Sequence, residues 1–177
     1  MHIIDTSSLI SYCDYYLPLD FKKLLSNFLK EKIESKDILL IDKVIDESRK
    51  TRNGVVIKNL QFINNDTLGI KTIITKEDHE LIATNFLNKK LVPINSKVNY
   101  ITEKNNYINT ADPALILYAR KNNYTIITEE QSNNSNYKKI FNKIPTICAS
   151  LKINCISMAN YLKDNSTLKL GHFNIAE

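Results

Sequence analysis

The chain has 177 residues, 43% of them hydrophobic and 24% charged, enough to bury one substantial core and most simply folded as a single domain. Its 24 Lys and Arg against 19 Asp and Glu give a net charge of +5, which favours a polyanionic partner such as nucleic acid. Only three glycines, none of them clustered, exclude the glycine-rich turn of a dinucleotide enzyme, and no apolar run approaches the roughly 18 residues of a membrane span.

In chain order, His2-Ile-Ile-Asp5 reads as a very short strand ending in an acid, and Thr6-Ser-Ser8 with Leu9-Ile10 as a strand-to-helix junction. Asp5 would serve there as a helix cap, the commonest use of a lone Asp in such a place. An N-terminus that meets a carboxylate this soon is no signal peptide. With three cysteines, an odd number and no Cys-x-x-Cys, it points to a soluble protein of the reducing cytoplasm.

From Pro18 to Ser35, Phe21, Leu24, Leu25, Phe28, Leu29 and Ile33 recur at amphipathic helical spacing. Ile38-Leu-Leu-Ile41 is a brief apolar segment, and Asp42 opens a helix to Lys50 that can turn Glu47 inward, one turn beyond Val44. Arg49, Lys50 and Arg52 stand nearby, free to neutralise Glu47, to meet a phosphate backbone, or to form a solvated surface.

Val55 to Ile63 and Thr75 to Leu91 read as helices, the second started by a capping-box pair, Thr75 and Asp78. Asn64 to Gly69 reads as a turn, and the polar run Asn95 to Asn109 as a mobile loop. Asp112-Pro113 reads as the start of a helix carrying Leu115, Ile116, Tyr118 and Ala119, with Asp112 its cap. Tyr124 to Thr128 reads as a buried strand with Glu129 and Glu130 at its C-terminal end, where open α/β sheets place ligands. Ile144 to Leu151 then suggests a helix, Ile153 to Ile156 a closing strand and Ser157 to Lys163 a last helix. The expected boundaries are a domain over residues 1–163 and a tail over 164–177.

This alternation predicts a three-layer α/β/α sandwich around a small parallel sheet. In such a sheet the strand C-termini and the following helix starts share one edge, so Asp5, Glu47, Asp112 and Glu130 can converge. Gathered carboxylates repel one another and call for a counter-cation. An all-oxygen site selects Mg²⁺ or Mn²⁺, and a pair of such ions about 3.5 to 4 Å apart can drive phosphodiester cleavage.

At Ile3-Ile-Asp5-Thr-Ser-Ser-Leu-Ile10, Val44-Ile-Asp-Glu47, Ala111-Asp-Pro-Ala-Leu-Ile116 and Ile126-Ile-Thr-Glu-Glu130, the chain resembles the PIN domains, the nuclease fold of many toxins of the VapC type. It looks closest to a subgroup that also carries Lys143-Ile-Pro-Thr-Ile-Cys148. The resemblance implies an endoribonuclease with Asp5, Glu47 and Asp112 as core ligands and Glu130 as the fourth, since a Thr, any residue, then an acid fits Thr128-Glu129-Glu130. Glu stands there in place of the commoner Asp, and Glu129 is the other candidate. Thr6 and Thr128 match hydroxyl positions that orient ligands or water. A cognate antitoxin protein, an RNA substrate and a homodimer are implied by the same resemblance.

The alternative is a PIN-like fold used without catalysis, to bind RNA or protein. Lys138, Lys139 and Lys143, like the cations near Glu47, fit either RNA contact or a solvated face. A haloacid-dehalogenase-type phosphatase is excluded, because it needs an Asp two residues after Asp5, where Ser7 stands.

Overall fold

The computed structural model describes residues 1–20, 22–88 and 97–165. Five strands, β1 (His2–Ile4), β2 (Ile38–Ile41), β3 (Gly69–Ile70), β4 (Thr125–Ile127) and β5 (Cys155–Ile156), form one parallel sheet in the order β3-β2-β1-β4-β5. β1, β2 and β4 are short, apolar and largely buried, as strands covered on both faces must be. The three-layer α/β/α arrangement expected from the sequence is therefore present.

Helices α1 (Thr6–Ser11) and α2 (Leu24–Glu34) join β1 to β2, while α3 (Asp42–Lys50) and α4 (Val55–Asn59) join β2 to β3. Next come α5 (Lys76–Leu81), α6 (Lys97–Ile108) and α7 (Ala111–Asn122) before β4, then α8 (Ile144–Leu151), and finally α9 (Met158–Asp164) after β5. Right-handed crossovers send the β1-to-β2 and β4-to-β5 connections to opposite faces. The chain leaves β1 toward β2 on one side and leaves β4 toward β5 on the other. The topological switch point thus lies between β1 and β4, where ligands bind open α/β sheets.

Several local expectations are corrected. The second helix begins at Leu24, not Pro18, because Lys23 adopts a left-handed φ of 55° and the Asp20 carboxylate takes the Ser26 amide at 2.9 Å. Leu25, Phe28, Leu29 and Ile33 still form its buried stripe, and Phe21 lies outside the described residues. Val55 to Ile63 is not one helix but α4 and a 3₁₀ turn, broken at Leu60. Thr75 and Asp78 do close a capping box on α5, which runs through a wider turn over Ile82–Phe86 and stops at Leu87, short of Leu91.

The expected loop from Asn95 to Asn109 is largely helix α6. Tyr100, Tyr107 and Ile108 recur at helical spacing and pack on the core, a stripe hidden among Asn and Lys. The expected turn at Asn64 to Gly69 ends in strand β3, too short to carry a periodic signal. α9 runs one residue past the expected domain boundary, and residues 166–177 of the tail lie outside the described residues. Among the described residues no helix is long and apolar enough to cross a membrane.

Gly69 lets the edge strand β3 approach the start of α3, the helix that carries Glu47. A Cβ there would lie 2.8 Å from Ile45 Cδ1 and 3.3 Å from Asp42 Cα, and the second contact is backbone that cannot swing away. Gly69→Ala is expected to destabilise the fold by roughly 1–3 kcal/mol, the usual range for overpacking. Urea unfolding checks this as a lower midpoint at unchanged slope.

Candidate functional site

β1 and β4 pair in register, Ile3 with Ile126 and Ile4 with Ile127, so the residues that follow them emerge side by side. Asp5 leaves β1 with its amide on the Ile127 carbonyl at 3.0 Å. Its carboxylate is only 3% exposed, accepts the Thr128 hydroxyl at 3.0 Å and also accepts the Ser7 hydroxyl. Asp5 occupies the cap position of α1 but makes no side-chain cap bond. Its carboxylate turns to neighbouring hydroxyls instead.

Glu47 faces the same edge from α3, where the Thr6 hydroxyl donates to it at 2.6 Å. Asp112 comes from the opposite direction. Helix α7 runs back to the start of β4, so its N-terminus lies at the C-terminal edge of the sheet. The cap position of α7 belongs to Thr110, which corrects the expectation that Asp112 is the cap; Asp112 is the second helical residue. Lys43 bonds the Ile108 carbonyl at 2.9 Å, tying the helix of Glu47 to the α6–α7 junction beside Asp112.

The two glutamates after β4 part ways. Glu130 receives the Ile144 amide at 3.0 Å, at the N-terminus of α8, while Glu129 receives the Met158 amide at 2.7 Å, at the N-terminus of α9. Neighbours at a strand end face opposite sides of the sheet. The charge of Glu130 is felt at both Asp5 and Asp112; that of Glu129 is felt at Tyr16.

The electrostatics mark the cluster. Burial pushes the Asp5 carboxyl up to about 6, helped by the charges of Glu130 and Glu47 and opposed by the Ser7 and Thr128 hydroxyls. Burial likewise pushes Asp112 up to about 8, with Asp5, Glu130 and Glu47 adding to the rise and Lys139 opposing it. Asp5, Glu47, Asp112 and Glu130 therefore share one field. Asp5, Glu47 and Glu130 are each bonded to their own donors, and among the described residues no three His, Cys, Asp or Glu close on one ion-sized point. The donor set is all oxygen and fits a hard cation.

Sequence reasoning gave no role at the acids to Ser7 or Lys43, and named Lys139 only for RNA contact or a solvated face. Ser7 holds Asp5 and receives the Glu129 amide at 3.2 Å, Lys43 braces α3, and Lys139 lies close enough to influence Asp112. The hydroxyl run after β1 was the signal for Ser7, and the local run of lysines that for Lys139. Arg49 engages Asp46, Asp66 and Asn64 rather than Glu47, and Arg52 engages Asp14.

Raised carboxyl groups favour the protonated fold. Their contribution to stability is complete below the ordinary carboxyl value of about 4 and is lost as pH rises through about 6 for Asp5 and about 8 for Asp112. Cation-free protein should accordingly melt at lower temperature as pH climbs across that window. Added Mg²⁺ or Mn²⁺ should raise Tm more at about pH 8 than at about pH 5.5, where protons compete for the same oxygens. Calorimetry with and without chelator measures both trends.

No curated protein and no solved structure matches the chain. Residues 2–168, a span that holds every acid of the cluster and the hydroxyls around it, match the family described as a domain of unknown function (DUF4411), and the chain belongs to that family.

Proposed function

We propose that the chain is a Mg²⁺- or Mn²⁺-dependent endoribonuclease that hydrolyses RNA phosphodiester bonds. The observation that carries this reading is the pair of acids, Asp5 and Asp112, held above their ordinary values at the switch point of a parallel sheet, in the field of Glu47 and Glu130. Their hydrogen bonds hold three of the four carboxylates in place but leave the mutual repulsion, which a divalent cation relieves. The PIN-domain resemblance of the same segments supports the same chemistry.

Asp5 and Asp112 are the central residues that would hold the cation, with Glu47 and Glu130 at the flanks. Ser7 and Thr128 fix the Asp5 carboxylate, and Thr6 fixes that of Glu47. Bound there, the metal would supply a water of lowered pKa and charge stabilisation for the departing oxygen. Lys139 and Lys143, beside the acids in one cleft, draw the polyanion in. Breaking the bond to the 3′ oxygen leaves a 5′-phosphate and a 3′-hydroxyl.

Purified protein is expected to cut single-stranded RNA with Mg²⁺ or Mn²⁺ and to stop in EDTA. Asp5→Asn and Asp112→Asn keep size and polarity, so each should lower cleavage by orders of magnitude with the fold intact. Glu130→Gln should act alike, whereas Glu129→Gln should mainly weaken the hold on α9. Undiminished cleavage by both Asn variants would remove Asp5 and Asp112 from the active site, and a parent chain that fails to cut with any metal would pass the fold to the alternative, a PIN-like module that binds RNA or protein without cutting it.

The toxin component of a toxin-antitoxin pair is the cellular role that the resemblance favours. Induced alone, the chain should arrest growth, and a cognate protein that blocks the acidic cleft should restore it. Unimpeded growth at high expression of active enzyme points to a housekeeping ribonuclease.

A further inference from the structure

Beside the acids lies a cleft of about 660 Å³, with Asp112 and Glu130 at its wall and Tyr107, Tyr137, Lys139 and Lys143 among its lining. Its size suits one small ligand. Tyr107 is the telling residue. Its ring is stacked on Phe141 at 4.0 Å and 5° and meets Phe86 edge-on at 6.3 Å, so its position is fixed.

The Tyr107 hydroxyl is buried and has no hydrogen-bond partner among the described residues. Buried polar groups are nearly always paired, and an unmade bond is costly. A phenylalanine would fill the same stack, so packing does not account for the hydroxyl. Burial, and after it the charges of Asp112 and Glu130, raise this phenol well above its ordinary value. Like any phenol at neutral pH it carries its proton and has a hydrogen to offer.

What surrounds Tyr107 indicates the missing acceptor. Lys139 and Lys143 bring positive charge to the cleft, and Lys139 is near enough to be felt at Asp112. The Tyr137 hydroxyl is anchored on the Phe141 carbonyl at 2.8 Å, and the Lys143 ammonium lies 5.7 Å from its ring centre. The half-exposed ring offers a face for a base, a mode that requires an unpaired strand. Donor, cations and ring together match a nucleotide.

We infer that this cleft is the subsite for the nucleotide adjoining the cleaved bond of single-stranded RNA, with Tyr107 donating its hydrogen bond to a phosphate oxygen. The inference rests on the nuclease reading of the acids. Lys139 and Lys143 neutralise the same phosphate.

The test is binding of fluorescein-labelled hexauridylate to the full chain in Ca²⁺, a hard cation that takes oxygen ligands, followed by cleavage in Mn²⁺. Tyr107→Phe is expected to weaken binding about ten- to a hundredfold, the range of a hydrogen bond to a charged group. Its Tm should stay the same or rise, since no native bond is lost. Lys139→Ala, at an exposed position, should weaken binding in the same direction.

If Tyr107→Phe binds and cleaves as the parent does, the inference is overturned while the nuclease reading stands. If the parent binds, Tyr107→Phe binds weakly and neither cleaves with any metal, the nuclease reading falls and with it the placement beside a cleaved bond, while the Tyr107 contact to RNA stands. A parent chain that does not bind the oligonucleotide overturns the subsite outright.

Discussion

The parallel pairing of β1 with β4 is the constraint on which the candidate site depends. Ile4 lies against Ile127, so the next residues, Asp5 and Thr128, have to emerge together, and their side chains bond at 3.0 Å. A slip of one residue would turn the side chains of β1 to the other face and carry Asp5 away from Thr128. Apolar burial prevents the slip, because Ile3, Ile4, Ile126 and Ile127 are all fully buried. Fully buried apolar residues thereby place a buried carboxylate.

Helix ends do the rest. Glu129 and Glu130 each accept the first amide of a different helix, where the peptide dipole welcomes negative charge. This holds two adjacent carboxylates apart, with no ion pair to either among the described residues. It also makes Glu130 a dual residue, fastened to α8 on one side and felt by Asp5 and Asp112 on the other. Stability and the proposed chemistry pull on the same side chain, as is common where buried charge serves function.

The net charge of +5 is unevenly available. Arg49 and Arg52 are engaged with Asp46, Asp66 and Asp14, which removes them as simple phosphate contacts. Lys138, Lys139 and Lys143 line the cleft that also holds Asp112 and Glu130. A cleft with cations at its rim and acids at its wall can attract a polyanion yet still require a metal for close approach. The proposed nuclease and its nucleotide subsite both use that division.

What the sequence by itself determined was the layer architecture and the identities of the acids. Short apolar runs at His2–Ile4, Ile38–Ile41 and Tyr124–Thr128 required a buried sheet, and an acid stood after each or at the start of a neighbouring helix. Such signals are local, written in period and adjacency. Tertiary structure decided which strands are neighbours, that Glu130 faces Asp5 and Asp112 while Glu129 turns away, and that Arg49 serves Asp46 instead of Glu47. It also decided that the Asn-rich stretch before Asp112 is a helix presenting Tyr107. The physical reason is separation along the chain: Thr6 meets Glu47 across 41 residues and Asp5 meets Thr128 across 123. Contacts at that range leave no periodic mark in the sequence, and the burial that raises Asp5 and Asp112 exists only once distant segments have closed around them.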